Sequence, residues 1–190
     1  MRILITGTTG GIGGAVEKAA AKRGWETASI NRGGFDAPLE GTFDAVVFAT
    51  GTCPVKPLTV MSDDEFAGTI EVNCGLFVRL MRKLVSGRHY ALSGMKAVAI
   101  SSVSAVEGWA GGSAYCASKG ALSAVCRAFD AELKALGISV TALEPRYVRT
   151  RMFENGAGRM GVDPSLARDP MEFAEEILSS LTGRQDHDNG

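Results

Sequence analysis

Tyr115 and Lys119 lie four residues apart in the run Tyr115-Cys116-Ala117-Ser118-Lys119. On a helix that spacing puts both side chains on one face. An ammonium beside a phenol favours the phenolate, so the pair predicts a tyrosine pKa below its ordinary value near ~10. Such a tyrosine could donate or accept a proton near neutral pH. The same spacing also describes an ordinary exposed pair on an amphipathic helix. A second signature at the start of the chain separates the two readings.

That signature is Thr6-Gly7-Thr8-Thr9-Gly10-Gly11-Ile12-Gly13, between an apolar run and a helical pattern. Gly7 permits a tight turn, Gly11 lets backbone N–H groups approach a pyrophosphate, and Gly13 lets the helix pack closely. The helix N-terminus then offers free N–H donors and a partial positive charge to an anion. A purely structural turn is the alternative. Position between strand and helix is the context that dinucleotide binding requires.

The elements that must hold these residues alternate. Strands are predicted over residues 2–6, 26–30, 44–49, 96–101 and 138–143. Helices are predicted over 13–23, 62–86, 113–136 and 170–182. Ser62 and Glu65 form a capping box, Asp169 and Pro170 open the last helix, and Gly24, Gly137 and Gly183 close three of the helices. Strand alternating with helix predicts an α/β, Rossmann-like, doubly wound parallel sheet with helices on both faces. Its ligand site would lie beyond the carboxyl ends of the strands. The polar tail after Gly183 reads as mobile.

Residues 1–190 read as a single domain, long enough to bury a core. Hydrophobic residues are 45%, charged residues 22% and the net charge −1, with no basic run. That excludes an electrostatic surface for nucleic acid or membrane. Met1 leads directly into the first strand pattern, and no apolar run is long enough to span a bilayer, so the expectation is a cytoplasmic protein. Cys53, Cys74, Cys116 and Cys126 form no C-x-x-C pair, and only His89 and His187 could join them, so neither metal site nor disulfide is expected.

Taken together, these motifs resemble the short-chain dehydrogenase/reductase family over residues 2 to about 182. Thr6, Gly7, Gly11 and Gly13 match its T-G-x-x-x-G-x-G loop, and Tyr115 and Lys119 match its Y-x-x-x-K. Ser102, thirteen residues before the tyrosine, completes the family's triad. Asn73, in Glu71-Val72-Asn73-Cys74-Gly75, makes the tetrad. Pro145, Val148 and Thr150 match P-G-x-V-x-T, although Arg146 replaces its glycine. Ala49, Thr50 and Gly51 stand where the family has N-N-A-G. Read residue by residue alone, Asn73 could be a satisfied polar residue, Ser102 a turn residue and Thr150 the cap of a short helix.

The resemblance implies an oxidoreductase that interconverts a carbonyl and an alcohol on a small molecule. Tyr115 would be its acid and base, with Lys119, Ser102 and Asn73 in support. It implies dinucleotide contacts from Thr6, Gly7, Thr8, Thr9, Gly11, Ile12, Gly13, Asn31, Arg32, Ala49, Thr50, Gly51, Tyr115, Lys119, Pro145, Val148 and Thr150. Substrate choice would rest on residues 103–113, where Trp109 borders the pocket, and on 151–168. Gly156, Gly158 and Gly161 suggest that the second segment is a mobile lid. Arg151, Arg159 and Arg168 could attract an anion or simply be solvated. Between the second strand and Phe43, residues 33–42 are too few for the family's third strand and its helix, and the family's last strand is missing. A reduced sheet follows, with residues 138–143 an edge strand needing cover from the last helix.

NAD-preferring members would carry a carboxylate at the end of the second strand. Here Ile30-Asn31-Arg32 stands there, so Arg32 could meet a 2′-phosphate and NADP(H) is expected over NAD(H). The two long helices would pair across a two-fold axis into a homodimer, with Phe77, Met81, Leu122, Cys126 and Phe129 as candidate contacts. Two alternatives share the fold: a non-catalytic dinucleotide sensor, and a dehydratase or epimerase that uses the cofactor transiently.

Overall fold

The computed structural model describes residues 1–31 and 33–183, the side chains of 157–160 excepted. Arg32 and the tail after Gly183 therefore lie outside the described residues. Five parallel strands form one sheet: β1 (Arg2–Thr6), β2 (Glu26–Ile30), β3 (Ala45–Phe48), β4 (Met95–Ile100) and β5 (Ile138–Leu143), in the order β2-β1-β3-β4-β5. The chain moves outward from β1 to β2, then crosses to the other side of β1 for β3. The crevice beyond β1 and β3 is thus the switch point of the sheet.

Side chains alternate across the strands, and both faces are buried. Leu4, Val46, Phe48, Ala97 and Ala99 face α3 (Leu76–Ser86) and α4 (Ser113–Leu133), and α2 (Asp63–Ile70) packs against α4. Ile3, Ile5, Ala45, Val47, Val98 and Ile100 face α1 (Gly11–Lys22) and α6 (Pro170–Thr182). The remaining α-helix, α5 (Arg151–Met160), follows β5. α6 lies beside α1 on the sheet face, held by Phe173, Ala174, Ile177 and Leu178. Among the described residues β5 has β4 as its one strand neighbour.

The shortened connection between β2 and β3 is a closed loop. Phe35 and Phe43 are buried in the core, and the Phe35 ring meets Phe48 edge-on at 6.3 Å. Lys83 Nζ, from α3, donates to the carbonyls of Phe35 (3.1 Å) and Ala37. An aromatic plug tied to a helix thus covers the sheet where a third strand and its helix would have lain.

The long helix expected over 62–86 is interrupted. The Ser62–Glu65 capping box forms as expected, but residues Glu71–Gly75 make a π turn between α2 and α3. A π turn adds one residue to the helical register and marks a local demand on a side chain. The residue at its centre is Asn73.

Candidate active site

Gly7 has φ +71°, and a Cβ there would meet the Ala49 carbonyl oxygen at 2.9 Å. A Cβ on Gly13 would strike the Gly7 carbonyl oxygen at 2.3 Å. Gly13 is needed so that α1 can pack against the loop itself, more than against the sheet. Gly11 is pressed by the Thr150 side chain, whose Cγ2 would lie 2.5 Å from a Cβ. α1 starts at Gly11, two residues earlier than its sequence pattern suggests. Its N-cap is Gly10, no side chain caps it, and its first turn carries no acidic residue. The exposed N–H groups and helix dipole therefore suit a phosphate.

Thr6 is fully buried. Its hydroxyl accepts from the N–H groups of Ala49 (3.1 Å) and Thr50 (3.2 Å) and bonds the Thr50 hydroxyl at 2.9 Å. Thr6 therefore clasps the ends of β1 and β3 together and does not face the crevice. At the outer end, Asn31 Nδ2 donates to Thr8 Oγ1 at 3.0 Å, and its Oδ1 lies 3.4 Å from the Thr9 nitrogen. Asn31 braces the loop at the position where a carboxylate would otherwise stand.

Tyr115 is the third residue of α4, and Lys119 follows one turn on. Lys119 is 5% exposed, and its Nζ donates to the Ile100 carbonyl at 2.7 Å and lies 5.7 Å from the centroid of the Tyr115 ring. Burial pushes the lysine down to about 8. Burial also pushes the Tyr115 phenol well above its usual range, with the Ser102 hydroxyl opposing. This corrects the expectation from spacing alone: Lys119 sits over the ring, and desolvation dominates. The phenol holds its proton firmly, which suits a donor.

Ser102 lies just past β4, with its Oγ accepting from the Ser104 N–H at 3.1 Å. Asn73 is fully buried. Its Nδ2 donates to the Ser118 hydroxyl (2.8 Å) and the Thr52 carbonyl (2.9 Å), while Oδ1 accepts from the Thr52 N–H (2.7 Å). Asn73 thus locks α4 to the loop after β3. A Cβ on Gly51 would lie 3.3 Å from Asn73 Oδ1 and 3.7 Å from Lys119 Nζ, so that loop passes between them.

One cavity of about 220 Å³ joins these pieces. Ile12, Ala49, Thr50, Gly51, Pro145, Val148 and Thr150 line it together with Ser102, Tyr115 and Lys119. The Thr150 hydroxyl also accepts from the Phe153 N–H at 3.3 Å, so Thr150 caps α5 as well. Trp109 borders the cavity as expected. Its Nε1 donates to Ser104 Oγ at 3.1 Å, and its ring lies 6.3 Å from that of Tyr115.

Cys53, Glu107, Tyr147, Met152, Phe153 and Val162 also line the cavity, unforeseen from the sequence as individual residues. Glu107 lies in the 103–113 segment, and Met152, Phe153 and Val162 in the 151–168 segment. The second segment opens with α5. Gly156 and Gly158 lie within α5, and Phe153 packs on Tyr147, Val162 and Ala167. Arg168 pairs with Glu176, and neither it nor Arg151 lines the cavity, whereas Arg146 does. Among the described residues no cluster of His, Cys, Asp and Glu could hold a metal ion.

Residues 34–159 match the short chain dehydrogenase family profile. The short-chain reductase protein NovJ of Streptomyces niveus is 33% identical over 144 residues, covering 76% of this chain and 52% of that protein. The chain belongs to the short-chain dehydrogenase/reductase family. It spans about half the length of NovJ. A 3-oxoacyl-[acyl-carrier-protein] reductase FabG of Rickettsia felis is 24% identical over 98% of this chain and 94% of its own length. Among solved structures, a 4-hydroxyisoleucine dehydrogenase variant complexed with NADH and succinate superposes with TM-score 0.84. Its identity is 20%, and the match covers 97% of this chain and 92% of that one. Actinorhodin polyketide ketoreductase with NADPH, also a variant, gives 0.79 at 19% identity, over 95% and 89%. Both likenesses are of fold. No described helix is long and apolar enough to cross a membrane.

Proposed function

We propose that this chain is a nicotinamide-dependent oxidoreductase, acting as a single domain, that interconverts a carbonyl and an alcohol on a small molecule. The observation that carries the reading is one cavity that joins Ile12, at the end of the glycine loop, and Thr150 to Ser102, Tyr115 and Lys119. The residues that would hold the dinucleotide are the α1 N-terminus, Ala49–Gly51, Pro145, Val148 and Thr150. When bound, it supplies or takes the hydride. Tyr115 gives its phenolic proton to the carbonyl oxygen in reduction and takes it back in oxidation. Ser102 donates a hydrogen bond to that oxygen as charge develops. Lys119 stabilises the phenolate that Tyr115 becomes, and Asn73 keeps Lys119 and α4 in place. Following NADPH absorbance against a panel of aldehydes and ketones tests this. Cofactor oxidation with at least one is expected, and tight cofactor binding without turnover would support a sensor instead.

NADP(H) is the proposed cofactor in preference to NAD(H). Support comes from the carboxylate-free end of β2, where Asn31 is committed to Thr8. Titration should give tighter binding of NADPH than of NADH, and equal or tighter NADH binding counts against the preference.

The lysine also sets a pH dependence. Lys119 keeps its charge below about 8 and loses it as pH rises through that value. For reduction, kcat/KM should therefore be flat on the acid side and fall above about 8. Lys119→Met should lower the rate and remove that limb. A limb that survives the substitution would assign it to another group.

A cytoplasmic homodimer is the proposed state. Phe77, Met81, Leu122 and Cys126, expected as dimer contacts, are each no more than 1% exposed and face the sheet. The apolar stripe of α3 and α4 is consumed by the core more fully than its periodicity suggests. A groove nonetheless remains between the two helices, lined by Val78, Val85, Phe129 and Leu133 and edged by Arg82 and Glu132. Self-complementary pairing there would bury it. Light scattering should report a dimer that Val78→Glu dissociates, and a monomeric wild type at micromolar concentration would remove the interface.

A further inference from the structure

Three charged side chains line the cavity: Lys119, Glu107 and Arg146. Lys119 belongs to the proton chemistry, and the other two have no part in it. Arg146 Nη2 lies 2.7 Å from Glu107 Oε1, and Nη1 lies 3.3 Å from Oε2. The contact is bidentate and bridges the loops after β4 and β5, which already share a bond from the Val103 N–H to the Pro145 carbonyl at 3.2 Å. The two side chains are 58% and 49% exposed, so the pair stands at the mouth of the cavity in contact with water. Behind it the wall is largely apolar, formed by Trp109, Tyr147, Met152, Phe153 and Val162.

A water-exposed ion pair is weak and exchanges readily. A guanidinium presents a planar fork of donors matched to a carboxylate, and Glu107 presents a carboxylate to it. An incoming carboxylate could take that place with the same two bonds, while Glu107 turns to solvent at little cost. A neutral molecule can offer Arg146 a carbonyl or hydroxyl acceptor, but neither the charge nor the matched pair of oxygens. The position is one that the resembled family fills with glycine, so the feature belongs to this chain.

We propose that Arg146 is the specificity-determining anchor for a substrate carboxylate, with Glu107 as its internal competitor, so that the site takes oxo acids and hydroxy acids. Their reacting carbon would sit at Tyr115 and Ser102, and the intervening chain would lie against the apolar wall. The inference rests on the oxidoreductase reading for what happens to the carbonyl, but not for how the acid binds.

Trp109 supplies a readout that needs no turnover, because it lines the cavity and Trp25, the other tryptophan, does not. The probes are levulinate, its one- and two-carbon longer homologues, and the methyl ester of each. Each is titrated into the NADPH-loaded protein while Trp109 fluorescence is followed. Wild type should bind at least one acid ~10-fold or more tighter than its ester, with added salt weakening the acid alone. Arg146→Met should bring that ratio near one, Arg146→Lys should leave part of it, and Glu107→Gln should tighten acid binding severalfold. Ester binding equal to acid binding in wild type, an unchanged ratio in Arg146→Met, or no binding by any probe overturns the proposal. Acid preference without NADPH oxidation would count against the oxidoreductase reading alone. Turnover of neutral ketones without acid preference would count against the anchor alone.

Discussion

Tyr115→Phe should lower turnover by ~10²-fold or more while leaving cofactor affinity nearly unchanged. The substitution keeps the ring against Trp109 and beneath Lys119, so packing changes little. What it removes is the phenolic proton beside Ser102. Burial holds that proton on the phenol, and only a carbonyl oxygen gathering negative charge would draw it off. Steady-state rates with any accepted carbonyl, alongside a dinucleotide titration, check both halves. Activity within a few-fold of wild type would move the proton to another group. Lost cofactor affinity would make Tyr115 a binding residue instead.

Gly13→Ala should abolish most cofactor binding while the sheet survives. The added Cβ would lie 2.3 Å from the Gly7 carbonyl oxygen and 2.9 Å from that of Thr6. Both are backbone atoms, so the loop or the helix must shift. The shift misaligns the α1 N–H groups that would meet the pyrophosphate, and each ~1.4 kcal/mol lost there is tenfold in affinity. A loss of ~10-fold or more by titration is the expected result, with far-ultraviolet circular dichroism close to wild type. Wild-type affinity would show that the glycine loop is not where the dinucleotide sits.

Much of this frame is legible in the residues. The strand patterns at 2–6, 26–30 and 138–143 coincide with β1, β2 and β5, because each is a short run carrying β-branched residues and bounded by turn residues. The reduced sheet was legible in the twelve residues between β2 and Phe43. Asp169 and Pro170 open α6 as their types dictate, with Asp169 accepting from the Met171 N–H at 2.7 Å.

What stayed hidden is tertiary. The glycines in 151–161 read as loose chain, yet α5 forms, because Phe153 packing on Tyr147 and Ala167 outweighs weak local propensity. Spacing put Tyr115 and Lys119 on one face but carried no information on their desolvation, and so the expected direction for the tyrosine was reversed. Asn73 stood out by its motif, but the π turn that holds it did not. Its cause lies in Thr52 and Ser118, remote in sequence. Glu107 and Arg146 lie thirty-nine residues apart, in loops that only the pairing of β4 with β5 brings together.

Transfer of label is the most direct measurement of the central claim. NADPH deuterated at the reacting carbon of the nicotinamide, prepared on each face in turn, is incubated with the protein and a panel of oxo acids, aldehydes and ketones. Products are then read by mass spectrometry. An alcohol carrying one deuteron at the former carbonyl carbon, from one face of the cofactor only, and lost in Tyr115→Phe, is the predicted result. Bound cofactor that never passes its deuteron to any carbonyl would contradict it.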